Sequence, residues 1–303
     1  MSIIQTDAAP AQRHLKGEDP IIGRSLWDDA RNRLLNNKAA VAAMIILAGI
    51  LVLVLFAPAL SPYPYDYPDW DNIQQPPSIA NQHYFGTDGI GRDLFVRTLE
   101  GGRISLMVGV VATLVSLLIG VTYGATAGYL GGRIDNLMMR FVDVLYTVPF
   151  MFFVILLMVV FGRHLVLIFV AIGAINWLDM ARIVRGQTLS LKHREFIEAA
   201  EASGVSTFNI IRRHIIPNLL GVVIVYVTLT IPQVILIESF LSFLGLGVQE
   251  PLTSWGALVN EGAEDMESAP WSLIFPAVFL AATLFCFNFI GDGLRDALDP
   301  KDR

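Results

Sequence analysis

Six long apolar runs constrain this chain more than any other feature; they fall at 39–60, 104–127, 144–161, 165–181, 219–240 and 271–290. A helix needs roughly 20 apolar residues to cross about 30 Å of hydrocarbon, where no water is present to satisfy an open backbone. The sequence therefore predicts an all-α polytopic membrane protein with six transmembrane helices. Only 16% of the 303 residues are charged, against about 25% in soluble domains. The single cysteine, Cys286, lies inside an apolar run, which excludes a secreted disulfide scaffold. A net charge of −6 and the lack of a basic stripe argue against a nucleic-acid partner.

The first run ends near Ala57-Pro58-Ala59, which looks like a small-residue cleavage site. Signal-peptide apolar regions span roughly 7–15 residues, so this longer run reads as a retained span. Lys and Arg accumulate in loops on the cytoplasmic side. With the N-terminus inside, the outer segments hold only Arg92, Arg97, Arg103 and Arg163, and the other 17 of the 21 basic residues fall inside. The expected topology is N-in/C-in. The chain then divides into a cytoplasmic tail 1–38, a first helix 39–60, an outer segment 61–103, a five-helix core 104–290 with an inner loop 182–218, and a tail 291–303. The outer segments are acidic, with Asp66, Asp69, Asp71, Asp88, Asp93 and Glu100 in the first and Glu250, Glu261, Glu264, Asp265 and Glu267 in the last. Such a face suits a basic partner, but acidic loops are also common as ordinary solvated surface.

Several chemistries lack their residues. None of the four lysines follows a glycine, so no phosphate-binding G-x-x-x-x-G-K-[ST] loop is present. Gly89 and Gly91 begin a dinucleotide fingerprint that fails at Leu94, and the Asp69/Asp71 pair begins a calcium loop that fails at Gln74 and Ala80. The five histidines do not converge into a zinc pattern. No nucleophile and base share one depth within the spans. Asp143, Asp179 and Glu238 each fall within about two turns of a predicted span end, where snorkelling or helix-end solvation accounts for them. Proton-driven carriers place ionisable groups deeper. An ion-coupled carrier or channel acting alone is one rival reading; an intramembrane enzyme is another.

Gly120, Gly124 and Gly128 form a ridge on one face of the second span. Glycines four apart let two helix backbones approach closely, either within this chain or across a subunit interface. Pro149, Pro232 and Pro276 sit within later spans and free backbone carbonyls there.

The inner loop ARIVRGQTLSLKHREFIEAAEASGVSTFNIIRRHIIPN is not linker-like. Ile197, Ala200, Gly204, Phe208, Ile211 and Ile215 recur at helical spacing. Gly204 interrupts the pattern, Ser206 or Thr207 can cap a fresh helix, and Pro217 is expected to end it before the membrane is re-entered. Two short amphipathic helices hinged at a glycine suit a partner's groove, or a pair packed on its own bundle.

Glu198-Ala199-Ala200, then Gly204, then Pro217 resemble the EAA motif of ABC importer permeases, E-A-A-x3-G-x9-I-x-L-P. His214 and Ile216 depart from that pattern. RSLWDDARNRLLNNKAAVAA, HYFGTDGIGRDLFVRTLEGGRISLMVGV, ESFLSFLGLGVQEPLTSWGALVNEGA and FNFIGDGLRDALDPKDR are similar to the oligopeptide permease family of the OppC type, over residues 24–303. The resemblance implies a type I ABC importer permease fold in a bacterial inner membrane. It implies an OppB-like second permease, two OppD/OppF-like ATPases that carry ATP and magnesium, and an outer, OppA-like peptide-binding protein. On that resemblance Glu198, Ala199, Ala200, Gly204 and Pro217 form the ATPase-coupling site, and this chain carries no cofactor of its own.

Overall fold

The computed structural model describes residues 26–162 and 164–298. Arg13, Lys16, Arg24, Arg163, Lys301 and Arg303, which entered the charge argument, lie outside the described residues, as do the outermost parts of both tails. Among the described residues eleven α-helices follow in order: α1 (Leu26–Asn36), α2 (Lys38–Leu60), α3 (Leu94–Leu130), α4 (Gly132–Thr147), α5 (Phe150–Phe161), α6 (Leu165–Lys192), α7 (Glu195–Ala202), α8 (Thr207–Ile210), α9 (Ile216–Phe243), α10 (Trp255–Glu264) and α11 (Trp271–Leu298). A π-helical turn, Ile211–Ile215, joins α8 to α9.

Five of these helices are long and apolar enough to cross a membrane, or six spans result if α4 and α5 count as one bent span. The third expected span, 144–161, is not one helix. Its two parts meet at 79°, because Pro149 has no N–H to donate and disfavours a helical conformation at the residue before it. Val148 is accordingly extended, at φ −78° and ψ 117°.

The remaining helices outrun their apolar runs. The second begins at Leu94, ten residues before 104, capped by the Asp93 side chain, which accepts from the Val96 amide at 2.9 Å. The fourth runs on to Lys192 and the last to Leu298. Within the expected tail 1–38, residues Leu26–Asn36 are helical, and Asn37 caps α2 by accepting from the amides of Ala39 and Ala40. Hydropathy marks only the stretch of a helix that lipid or core covers; its polar ends stay helical because the backbone still bonds internally.

The bundle has two distinct ends. At the loop end lie α1, the start of α2, the end of α11 and the α7–α8 segment; Gly293 packs against Ala40 there. At the cap end, residues 61–93 and α10 fold over the tops of α3, α9 and α11. Thr87 organises the cap: its hydroxyl accepts from the Gln75 amide at 2.8 Å, and its carbonyl accepts from Trp271 Nε1 at 3.2 Å. His83 stacks on Tyr63 and shares a hydrogen bond with Asp93 at 2.8 Å.

The glycine ridge sets the closest helix pair. A Cβ on Gly120 would lie 2.5 Å from Met180 Cβ, one on Gly124 would lie 2.9 Å from Val184 Cβ, and one on Gly128 would lie 2.8 Å from the Arg185 carbonyl oxygen. The ridge therefore faces α6 of the same chain, which runs parallel to α3.

Candidate functional site: the α7–α8 platform

The loop between α6 and α9 folds as a compact platform. α7 ends in a Schellman turn: the Gly204 amide donates to the Glu201 carbonyl at 2.9 Å, and the Val205 amide reaches back to Ala200 at 3.1 Å. Gly204 adopts φ +77°, a conformation that glycine enters without steric cost. Ser206 stands at the N-cap of α8, but its side chain makes no cap hydrogen bond.

The expected end of the helix at Pro217 is not what forms. The chain is helical from Thr207 through Phe243. The Ile216 amide donates to Ile211, five residues back, one residue before Pro217. The π turn absorbs the register change next to the residue that has no N–H to give.

One side of the platform is anchored. Ile197, Ala200, Ile210 and Ile215 are buried in a cluster with Val121, Ala125 and Tyr129 of α3, Met180 and Val184 of α6, and Leu219 and Val223 of α9. Polar ties reinforce it: Tyr129 Oη donates to Glu201 at 2.7 Å, and Lys192 Nζ donates to the Tyr129 carbonyl at 2.7 Å. The other side is open. Glu198, Ala199, Gly204, Arg212 and Arg213 are exposed, and Phe208 is 68% exposed. Phe208 thus leaves the apolar stripe assigned to it by spacing; the turn at Gly204 resets the helical phase, and Ile210 takes the inward position. Tyr129, Glu201 and Lys192 were not singled out by spacing. Glu201 directly follows Glu198-Ala199-Ala200, but nothing in the local pattern names Tyr129, some 70 residues earlier, as its partner.

At the cap end, Asp88, Glu250 and Glu261 pair with the chain's own arginines, while Asp66, Asp71, Glu264 and Glu267 are exposed. Arg92 donates to Asp88 at 2.6 Å, to Glu250 at 2.7 Å and to Glu261 at 3.2 Å, and Arg97 donates to Glu261 at 2.9 Å. The hydrogen bond from Arg92 holds the Glu250 carboxyl below its usual range. Burial pushes Glu261 up, against the pull of Arg97 and Arg92. Asp69, on the surface, is held low by the Asn72 amide.

Glu238 is not solvated at a helix end, as its position in the sequence indicated. It is fully buried, accepting from Ser105 at 3.1 Å and from Ser242 at 2.7 Å, while Ser105 also receives the Trp255 amide at 3.1 Å. α10 folds over it, so hydroxyls take the place of water. Asp179 is likewise further from a helix end than expected, because α6 continues to Lys192. Among the described residues, no group of three or more His, Cys, Asp or Glu side chains is placed to hold a metal ion.

The helical bundle presents an anchored, glycine-hinged platform at one end and a folded cap at the other, on helices long and apolar enough to cross a membrane. The family described as "Binding-protein-dependent transport system inner membrane component" matches residues 120–303, and "N-terminal TM domain of oligopeptide transport permease C" matches residues 25–77. The chain belongs to this family of transport permeases, and within it to the OppC type. It is 63% identical to the oligopeptide transport system permease protein OppC of Escherichia coli K12, over 93% of each chain. It is 61% identical to the OppC protein of Haemophilus influenzae, over 93% of this chain and 90% of that one. The dipeptide transport system permease protein DppC of Bacillus subtilis is 50% identical over 92% of this chain and 87% of its own.

Proposed function

We propose that this chain is a non-catalytic translocation subunit of an ATP-driven, binding-protein-dependent oligopeptide importer in the bacterial inner membrane. The loop end faces the cytoplasm and the cap end the outside, in the N-in/C-in sense that the distribution of Lys and Arg supports. An OppB-like permease pairs with it. Two OppD/OppF-like ATPases, which carry the ATP and magnesium, grip the platforms, and an OppA-like protein delivers peptide to the cap end. Membrane lipid covers the apolar flank.

One observation carries the coupling role: the platform is firmly anchored on one side and bare on the other. Glu198, Ala199 and Phe208 are free to meet a partner, while Ile197 and Ala200 grip α3, α6 and α9 from behind. A push on the bare face therefore reaches three spans as a rigid displacement, which switches the bundle between its inward- and outward-open arrangements.

A crosslinking experiment tests this. Ala199→Cys in a Cys286→Ser background is expected to capture an ATPase chain in intact membranes, with the yield changing when nucleotide is trapped. Absence of any ATPase adduct, while the complex still imports peptide, refutes the coupling role.

A further inference from the structure

Charged side chains lie exposed on α4 and α6, near the loop-end limits of the apolar runs 144–161 and 165–181. Asp179 is fourteen residues from the start of α6 and thirteen from its end, about 20 Å from either at ~1.5 Å per residue. It accepts a hydrogen bond from Tyr146 of α4. One turn along, Arg182 donates to Asp143 at 2.7 Å and lies over the Tyr146 ring at 4.1 Å. These groups are open: the Arg182 side chain is 45% exposed and that of Asp143 is 63% exposed. Nearer the loop end, Asp135 and Arg185 form a bidentate pair in which Asp135 is buried. That pair already clips α4 to α6, so the exposed cluster is not needed as a clip.

The two faces of α4 differ. Leu137, Phe141 and Val144 are exposed apolar residues on one side, while Asp135, Asp143 and Tyr146 turn to the other, toward α6. Exposed ionisable groups beside apolar spans face water or polar partners and not lipid tails. Arg182 spends one terminal nitrogen on Asp143, and a guanidinium carries five N–H donors, in a fork that fits a carboxylate.

Resting on the transport reading above, we infer that Asp143, Tyr146, Asp179 and Arg182 line the aqueous path and contact the charged ends of a passing peptide. Arg182 takes the C-terminal carboxylate, and Asp143 and Asp179 take the N-terminal ammonium. The exposure of these side chains suits passage rather than retention.

The test uses the assembled importer in proteoliposomes with saturating binding protein. In a Cys286→Ser background, Asp143→Cys is expected to react with a trimethylammonium methanethiosulfonate at least tenfold faster than Val159→Cys, an exposed apolar position on α5. Arg182→Gln, with ATPase assembly intact, is expected to slow uptake of trialanine at least fivefold more than uptake of its C-terminal amide. Labelling no faster than at Val159, as for a face sealed against the second permease, overturns the inference; so does equal loss for both peptides. Trialanine uptake by the unsubstituted complex is the separate control. If it fails, the transport reading itself falls and takes this inference with it.

Discussion

The turn at Gly204 offers a sharp test, because its requirement is purely conformational. A Cβ there would meet nothing within 4 Å, yet φ is +77°. Any effect of Gly204→Ala must therefore come from the backbone and not from a clash. Placing an L side chain in the left-handed region costs about 1–2 kcal/mol, and asparagine enters that region more readily than alanine. One or two kcal/mol is a factor of about 5–30 in a two-state ratio, here between the closed Schellman turn and an opened one. α7 has only eight residues, so it has little helix of its own to resist unwinding. The expected order of peptide-stimulated ATPase activity in the reconstituted complex is Gly, then Asn, then Ala, with Val lowest because it is β-branched. The thermal midpoint of the isolated chain should move little, since Gly204 lies outside the buried cluster. A valine variant with full coupling, or asparagine performing worse than alanine, refutes the conformational reasoning.

Gly124→Ala should act on the bundle instead. Its Cβ would press on the Ala181 carbonyl and lie 2.9 Å from Val184 Cβ, parting α3 from α6 at a cost of about 1–3 kcal/mol. Gly186→Ala, with nothing within 4 Å, is the control and should not lower the melting midpoint in detergent; equal melting of the two variants would count against the ridge. Glu250 provides a pH test. Its carboxyl is depressed in the folded protein by Arg92, so its contribution is present above the ordinary carboxylate range, near pH 4.3, and is lost as pH falls through the depressed value. Glu250→Gln should melt below the unsubstituted chain at pH 7, and the gap should close as pH falls below the depressed carboxyl range; a gap that persists once the carboxyl is protonated would show that the ion pair is not its source.

Much of the architecture follows from local pattern. Apolar runs must be helices in lipid, so five of the six spans are visible as runs, and the glycine ridge is visible as a spacing. What hydropathy misreads are features that depend on a neighbour. Phe208 sits in a helical stripe by count but faces outward, because Gly204 rotates the following helix. Pro217 is a stop signal in isolation, yet a π turn carries the helix past it. Asp179 and Glu238 look terminal in the sequence because an apolar window ends near them, whereas α6 continues to Lys192 and α10 covers Glu238.

The amino-acid order by itself determined that this chain spans a membrane, that it lacks a nucleotide-binding loop, and that a glycine-hinged amphipathic segment interrupts its spans. Those properties are sums over short windows of residues, set by backbone hydrogen bonding and transfer out of water. Tertiary structure decided which charges are consumed and which remain open. Arg92 and Arg97 pair with Asp88, Glu250 and Glu261, Ser105 and Ser242 satisfy Glu238, and Asp143 and Arg182 stay exposed. Ion pairing joins residues as far as 169 positions apart, and only packing brings such groups within reach of one another.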